Sequence, residues 1–225
     1  MMFVRSIPRS EKCGFTLIEL LAVIGVIAVL AAVVFAGLSG SDRGAALRTA
    51  QATMANALNL TRTRAMTKNA YVALMVNNDA SDSNNYRRLI AVVEDINGES
   101  LVVATYLLPE NVYVIPHRDR FPIGLHTDEN WNGSDSAALV GSTFLRNTIS
   151  KQIAGNAPQS WEYREMTPEG TIASGTAGNI VVAVASRQSG SGSGYPIIFD
   201  APEMIRGLKV STYGLARLTV GIEEF

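Results

Sequence analysis

The chain has 225 residues, 19 Lys and Arg against 20 Asp and Glu, a formal net charge of −1 and 47% hydrophobic residues. That length suits one ordinary domain plus an anchor. The near-neutral balance weighs against a broad cationic footprint for nucleic acid, and a lone cysteine, Cys13, excludes an internal disulfide.

Residues 1–14 form a short charged leader, with Arg5, Arg9 and Lys12 against Glu11, ending at Gly14. Residues 15–38, FTLIELLAVIGVIAVLAAVVFAGL, read as one apolar helix with a single carboxylate, Glu19, near its start. At about 1.5 Å per residue it would extend about 36 Å, enough to cross a bilayer. The basic leader places its own end in the cytoplasm and the rest beyond the membrane. An ordinary secretory signal is cut after its apolar core; here the glycine precedes the core, so a cut there leaves the apolar segment on the mature chain. A carboxylate deep in a bilayer costs on the order of 2.5–3.5 kcal/mol, less near an interface. Glu19 therefore needs a partner, or serves the positive end of its own helix.

Gly14, Phe15 and Glu19 in this setting resemble the N-terminus of type IV pilins and type II secretion pseudopilins. The resemblance covers residues 9–38. It implies cleavage between Gly14 and Phe15 by a prepilin peptidase, and N-methylation of Phe15 by the same enzyme. It implies that Glu19 meets the free α-ammonium of Phe15 on a neighbouring subunit. The implied partners are other pilin or pseudopilin subunits, the peptidase and methyltransferase, an inner-membrane assembly platform, and membrane lipid before assembly. Cys13 would leave with the leader.

Residues 39–68 continue as an amphipathic helix after a Gly- and Ser-containing junction where Ser41 or Asp42 could cap. Leu47, Ala50, Met54, Leu58 and Ala65 fall on one face. From residue 69 onward the chain reads as a β-rich head. Strands are expected at Tyr71–Val76, Arg88–Glu94, Leu101–Leu108, Trp161–Met166, Ile180–Ala185, Pro196–Phe199, Leu208–Ser211 and Ala216–Val220. The segment 79–85 is a polar turn, Asn97-Gly98 a hairpin signal, 116–136 a long loop, 139–149 ambiguous, and Ser189–Gly194 a flexible connector. Residues 15–68 carry a net +3 and residues 69–225 a net −6. The expected fold is α+β, a long N-terminal helix packed on an antiparallel β-rich head.

Three short segments add a second resemblance, to H-type minor pseudopilins and FimT-like proteins. They are LTRTRAMTKNAYVALMV at 60–76, Met166–Gly170, and LKVSTYGLAR at Leu208–Arg217. The stretch around 79–160 departs from a compact member of that group.

No catalytic set stands out, and no cofactor or metal is expected. His117 and His126 share a loop with Asp119, Asp128 and Glu129, but the spacing matches no zinc pattern, and exposed loop polars account for them. No nucleophile elbow or phosphate-binding glycine loop occurs. Arg87-Arg88, and Arg118 with Arg120, could form a small DNA-facing patch; solvated strand ends explain them better. The resulting reading is a non-enzymatic, inner-membrane-inserted subunit of a pseudopilus or pilus, minor in type. Its rivals are an exported soluble domain cut after Val34-Phe35-Ala36 to begin at Gly37, an uncleaved anchored binding or enzyme domain, and a DNA-uptake minor pilin.

Overall fold

The computed structural model describes residues 17–38, 41–94, 98, 100–117, 141–153, 157–188, 196–199 and 201–225. The chain divides into two units, Met1–Asp42 and Arg43–Phe225.

In the first unit, helix α1 spans Leu17–Leu38. Helix α2 spans Ser41–Lys68, so Ser41 and Asp42 lie in its first turn and neither is the residue preceding it. There Asp42 places a negative charge at the positive end of the helix. The other end stops at Asn69, whose φ of 51° is left-handed. The amide of Ala70 then reaches back to the carbonyl of Ala65 at 3.2 Å, closing the helix terminus.

The second unit is built on α2 and two antiparallel sheets. Strands β1 (Val72–Asn77), β2 (Leu89–Glu94), β3 (Leu101–Leu107), β5 (Asn147–Lys151) and β6 (Gln159–Met166) form one, ordered β3-β2-β1-β6-β5. Strands β4 (Val112–Val114), β7 (Gly178–Val184), β10 (Ile205–Val210) and β11 (Ala216–Val220) form the other, ordered β11-β10-β7-β4. A small ribbon pairs β8 (Ser186–Arg187) with β9 (Ile197–Ile198).

Strands β1 and β7 are apolar over Val72–Val76 and Ile180–Val184 because both their faces are covered. In β1, Val72, Leu74 and Val76 join Leu47, Ala50, Met54 and Leu58 of α2 in the main core. The alternating Ala73 and Met75 instead pack with Trp161 and Ile153. Likewise β7 gives Ile180, Val182 and Val184 to the α2 core, and Val181 and Ala183 to a cluster with Tyr113, Phe199 and Ile205. Period-2 alternation thus sorts residues between two dry faces, not between core and water. The five α2 residues expected on one face are all buried, together with Ala57, Gln51 and Thr61. All eight expected strands are present within a few residues; β4 and the two-residue β8 were not anticipated, and the ambiguous 139–149 segment supplies the start of β5. Strands β2 and β3 pair as expected, Glu94 opposite Leu101, while Asn97 of the connection lies outside the described residues. The connector 189–194 lies outside them too.

Candidate functional site

Glu19 sits in the first turn of α1, the place where a carboxylate favours the helix dipole. Every residue from Leu17 to Leu30 is exposed, including Leu17 at 81%, Ile18 at 76% and Val29 at 66%. These side chains surround the helix on all sides, which marks a helix made to be enclosed by something apolar. The described side chains of α1 end at Leu30, and no helix among the described residues is long and apolar enough to cross a membrane. The α1 backbone itself runs 22 residues. Gly14 and Phe15 lie outside the described residues.

On the head, the three segments that carried the second resemblance meet at one place. Arg62 of α2 donates its Nε to the carbonyl of Gly170 at 3.2 Å and to that of Tyr213 at 3.1 Å. Gly170 and Gly214 both have left-handed φ, 75° and 69°. A β-carbon on Gly214 would stand 2.9 Å from the Gly170 oxygen and 3.2 Å from Arg62 Cδ. The glycines in Met166–Gly170 and Leu208–Arg217 are therefore what let two turns close over one arginine. A second tie lies further along the helix. Gln51 Nε2 donates to the carbonyls of Gly207 at 2.7 Å and Thr219 at 2.8 Å, joining α2 to β10 and β11. Gly207 has no side chain because a β-carbon there would overlap the Ile180 carbonyl and the ring of Phe225.

Arg87 and Arg88 are neither a surface patch nor solvated strand ends. Arg87 is fully buried and Arg88 is 5% exposed. Arg87 Nη1 donates to Glu162 Oε2 at 2.8 Å and to Asn78 Oδ1 at 3.2 Å, while its Nε donates to the Val114 carbonyl at 3.1 Å. Arg88 donates to the Leu108 carbonyl from Nη2 at 2.8 Å and lies 5.9 Å from the Tyr113 ring centre. Nearby, Asp82 accepts from Asn85 Nδ2 at 2.7 Å and Gln159 Nε2 at 2.8 Å. Partial burial pulls the Asp82 carboxyl upward, but these bonds and two backbone ones hold it below its ordinary pKa. Glu165 is the opposite case, raised by burial. The sequence signal for the buried pair was present in β6, where Glu162 and Arg164 alternate with Trp161 and Tyr163.

His117 is 7% exposed, not an exposed loop residue, and bridges to Ser142 through the backbone. His126, Asp119, Asp128 and Glu129, and the Arg118 and Arg120 pair, lie outside the described residues. Among the described residues no group of three or more His, Cys, Asp or Glu could hold a metal ion. A cleft of about 520 Å³ brings Arg43, Arg187 and Glu203 together, and another of about 510 Å³ holds Lys209 and Arg217.

Residues 9–35 match the prokaryotic N-terminal methylation motif. The match spans the leader and most of the apolar helix and leaves the head untouched. The fold itself is α+β, with N-terminal helices followed by an antiparallel β head. Among solved structures it has a distant likeness to the type IV minor pilin FimU of Pseudomonas aeruginosa in two crystal forms. Identity is 11% in both, over 77% of this chain and 87% or 92% of that one, with TM-scores of 0.41 and 0.40. No curated protein matches the sequence.

Proposed function

We propose that this chain is a structural subunit, minor in type, of a type IV pilus-like filament or a type II secretion pseudopilus. Its work is assembly, and it performs no covalent chemistry of its own. The observation that carries this reading is α1, apolar on every side, uncovered from Leu17 to Leu30, with one carboxylate in its first turn. Enclosing each Leu, Ile or Val side chain is worth about 1.5–3 kcal/mol, so such a helix belongs in lipid or among other helices.

In this reading a prepilin peptidase removes residues 1–14 between Gly14 and Phe15 and methylates the new amine of Phe15. Residues 15–38 cross the inner membrane, with the leader in the cytoplasm and the 69–225 head outside, and residues 39–68 link the two. On assembly the segment leaves lipid for the filament core, among other pilin or pseudopilin subunits gathered by an inner-membrane platform. Glu19 then accepts the α-ammonium of Phe15 from a neighbour, so cleavage creates the charge that assembly uses. The acidic head, net −6, does not favour a nucleic-acid role.

Intact mass and terminal sequencing of the protein from its native membrane test the reading. A mature chain beginning at N-methylated Phe15 is the expected result. A chain beginning at Gly37 would replace the proposal with an exported soluble domain.

A further inference from the structure

Arg146, just ahead of β5, and Arg164 of β6 come close together, and among the described residues neither has an ion-pair partner. The register sets Asn147 opposite Tyr163 and Thr148 opposite Glu162; Arg146 immediately precedes Asn147 and Arg164 immediately follows Tyr163, so the two flank the end of this ladder. Across the other edge of β6, Arg164 stands opposite Leu74 of the main core, and it is 3% exposed. Its guanidinium lies 5.7 Å from the Phe144 ring centre and donates Nη2 to the Thr176 carbonyl at 3.2 Å. Its buried Nε has no acceptor. Arg146 is exposed and donates its Nε to the Thr143 carbonyl at 3.0 Å. Burial, and then the charge of Arg146, hold Arg164 below its ordinary pKa.

The backbone leading into Arg146 is firmly held. The amides of Thr143 and Phe144 both donate to the Asn179 carbonyl at 2.9 Å, and the Asn179 amide donates to Thr143 Oγ1 at 2.8 Å. Phe144 lies so close on Gly178 that a β-carbon there would stand 2.8 Å from its Cα. These contacts fix the backbone two residues ahead of Arg146, beside the Phe144 ring on which Arg164 lies. A desolvated guanidinium without an acid is destabilising, and a second cation beside it adds to that cost. Yet the head has acids in excess, and those in described ion pairs go to Arg64, Arg87 and Arg217.

We propose that Arg146 and Arg164 form a receptor for a carboxylate supplied from outside the head. The planar guanidinium fork matches a carboxylate in shape and charge. A phosphate polymer would meet the repulsion of the net-acidic head. An acidic side chain of a neighbouring polypeptide and a small free carboxylic acid satisfy the same chemistry.

The test follows the Nε–H signals of both arginines by NMR in the full-length chain in detergent, with acetate as probe and chloride holding ionic strength constant. Both signals should shift to saturation with one apparent Kd. Binding should weaken about 2- to 5-fold in Arg146→Gln, as loss of one exposed charge predicts, and vanish in Arg146→Glu. Arg217→Gln, far along the sequence on β11, should leave it unchanged. Because Arg146 is exposed, these variants keep the fold, and circular dichroism checks that they do. Non-saturating drift, or undiminished binding in Arg146→Glu, overturns the proposal; so does inorganic phosphate binding tenfold tighter than acetate. With acetate binding established, a photo-cross-linker at Asn147 in native membranes separates the sources. A polypeptide adduct that disappears in Arg146→Glu assigns the carboxylate to a protein neighbour, and the absence of any adduct assigns it to a small acid.

Discussion

Arg87 and Glu162 form an ion pair of 2.8 Å with side-chain exposures of 0% and 2%. It ties the start of β2 to β6 across the intervening β1. Removing one member strands the other charge in the interior. Glu162→Ala should therefore destabilise the protein by about 3–5 kcal/mol, lowering Tm by roughly 6–20 °C for a domain of this size. The double variant Arg87→Met with Glu162→Leu should recover much of that loss. Thermal unfolding of the three proteins checks both statements, and a single variant as stable as the parent would refute the first.

Gln51 bonds two carbonyls that lie 156 and 168 residues away in sequence. Gln51→Ala leaves both without this buried donor, a loss of about 1–3 kcal/mol. The local effect should exceed the global one. Amide exchange at Ala216–Val220 should accelerate in the variant while β1 and β6 keep their protection.

Gly214→Ala combines a left-handed backbone with a collision against the Gly170 carbonyl, and should cost about 1–3 kcal/mol. Arg62→Ala removes the donor beneath both turns. Coupling between the two substitutions, measured in a double-mutant cycle, should be non-zero because they act on one contact. Strict additivity would show that the turns are held by something else.

Asp82 and Glu165 should respond to acid with opposite signs. A carboxyl held below its ordinary pKa adds stability above the unfolded value and loses it as pH falls through the folded one. Asp82→Asn should therefore flatten part of the acid-side decline. A carboxyl raised by burial favours the folded state while protonated and disfavours it as pH rises through the folded pKa. Glu165→Gln should raise Tm at neutral pH and leave it unchanged well below the ordinary Glu pKa. Tm recorded against pH for both variants distinguishes the two slopes.

Under the proposed function, Glu19→Ala should insert into the membrane and be processed, yet fail to join the filament. Gly14→Ala should slow leader removal. Immunoblots of membrane and sheared-filament fractions read both outcomes, and normal incorporation of Glu19→Ala would sink the charge-pairing idea.

The α2 stripe and most strands were legible because burial imposes period on sequence. Leu47, Ala50, Met54, Leu58 and Ala65 recur at helical spacing, and Ala216–Val220 matched β11 residue for residue. What escaped were elements whose residues carry no such period. Strand β4 is only Val112–Val114, entered from a left-handed Asn111. Strand β5, NTISK, is mostly exposed and polar. Arg87 and Arg88 looked like solvent-facing charges because the acid and carbonyls that receive them come from 20 to 75 residues away. The hinge-like closure over Arg62 was visible only as short similar segments; their meeting in space was not.

The two ties on α2 also set an order of events. Gln51 and Arg62 are made first, and their acceptors at 170, 207, 213 and 219 follow 108 to 168 residues later. Until then the inward stripe of α2 lacks the cover that β10 gives it in the folded head. Long-range closure of this kind is slow. The head therefore cannot close its α2 face strand by strand as it emerges; that face is completed in one late step, when β10 and β11 arrive beneath Gln51 and Arg62.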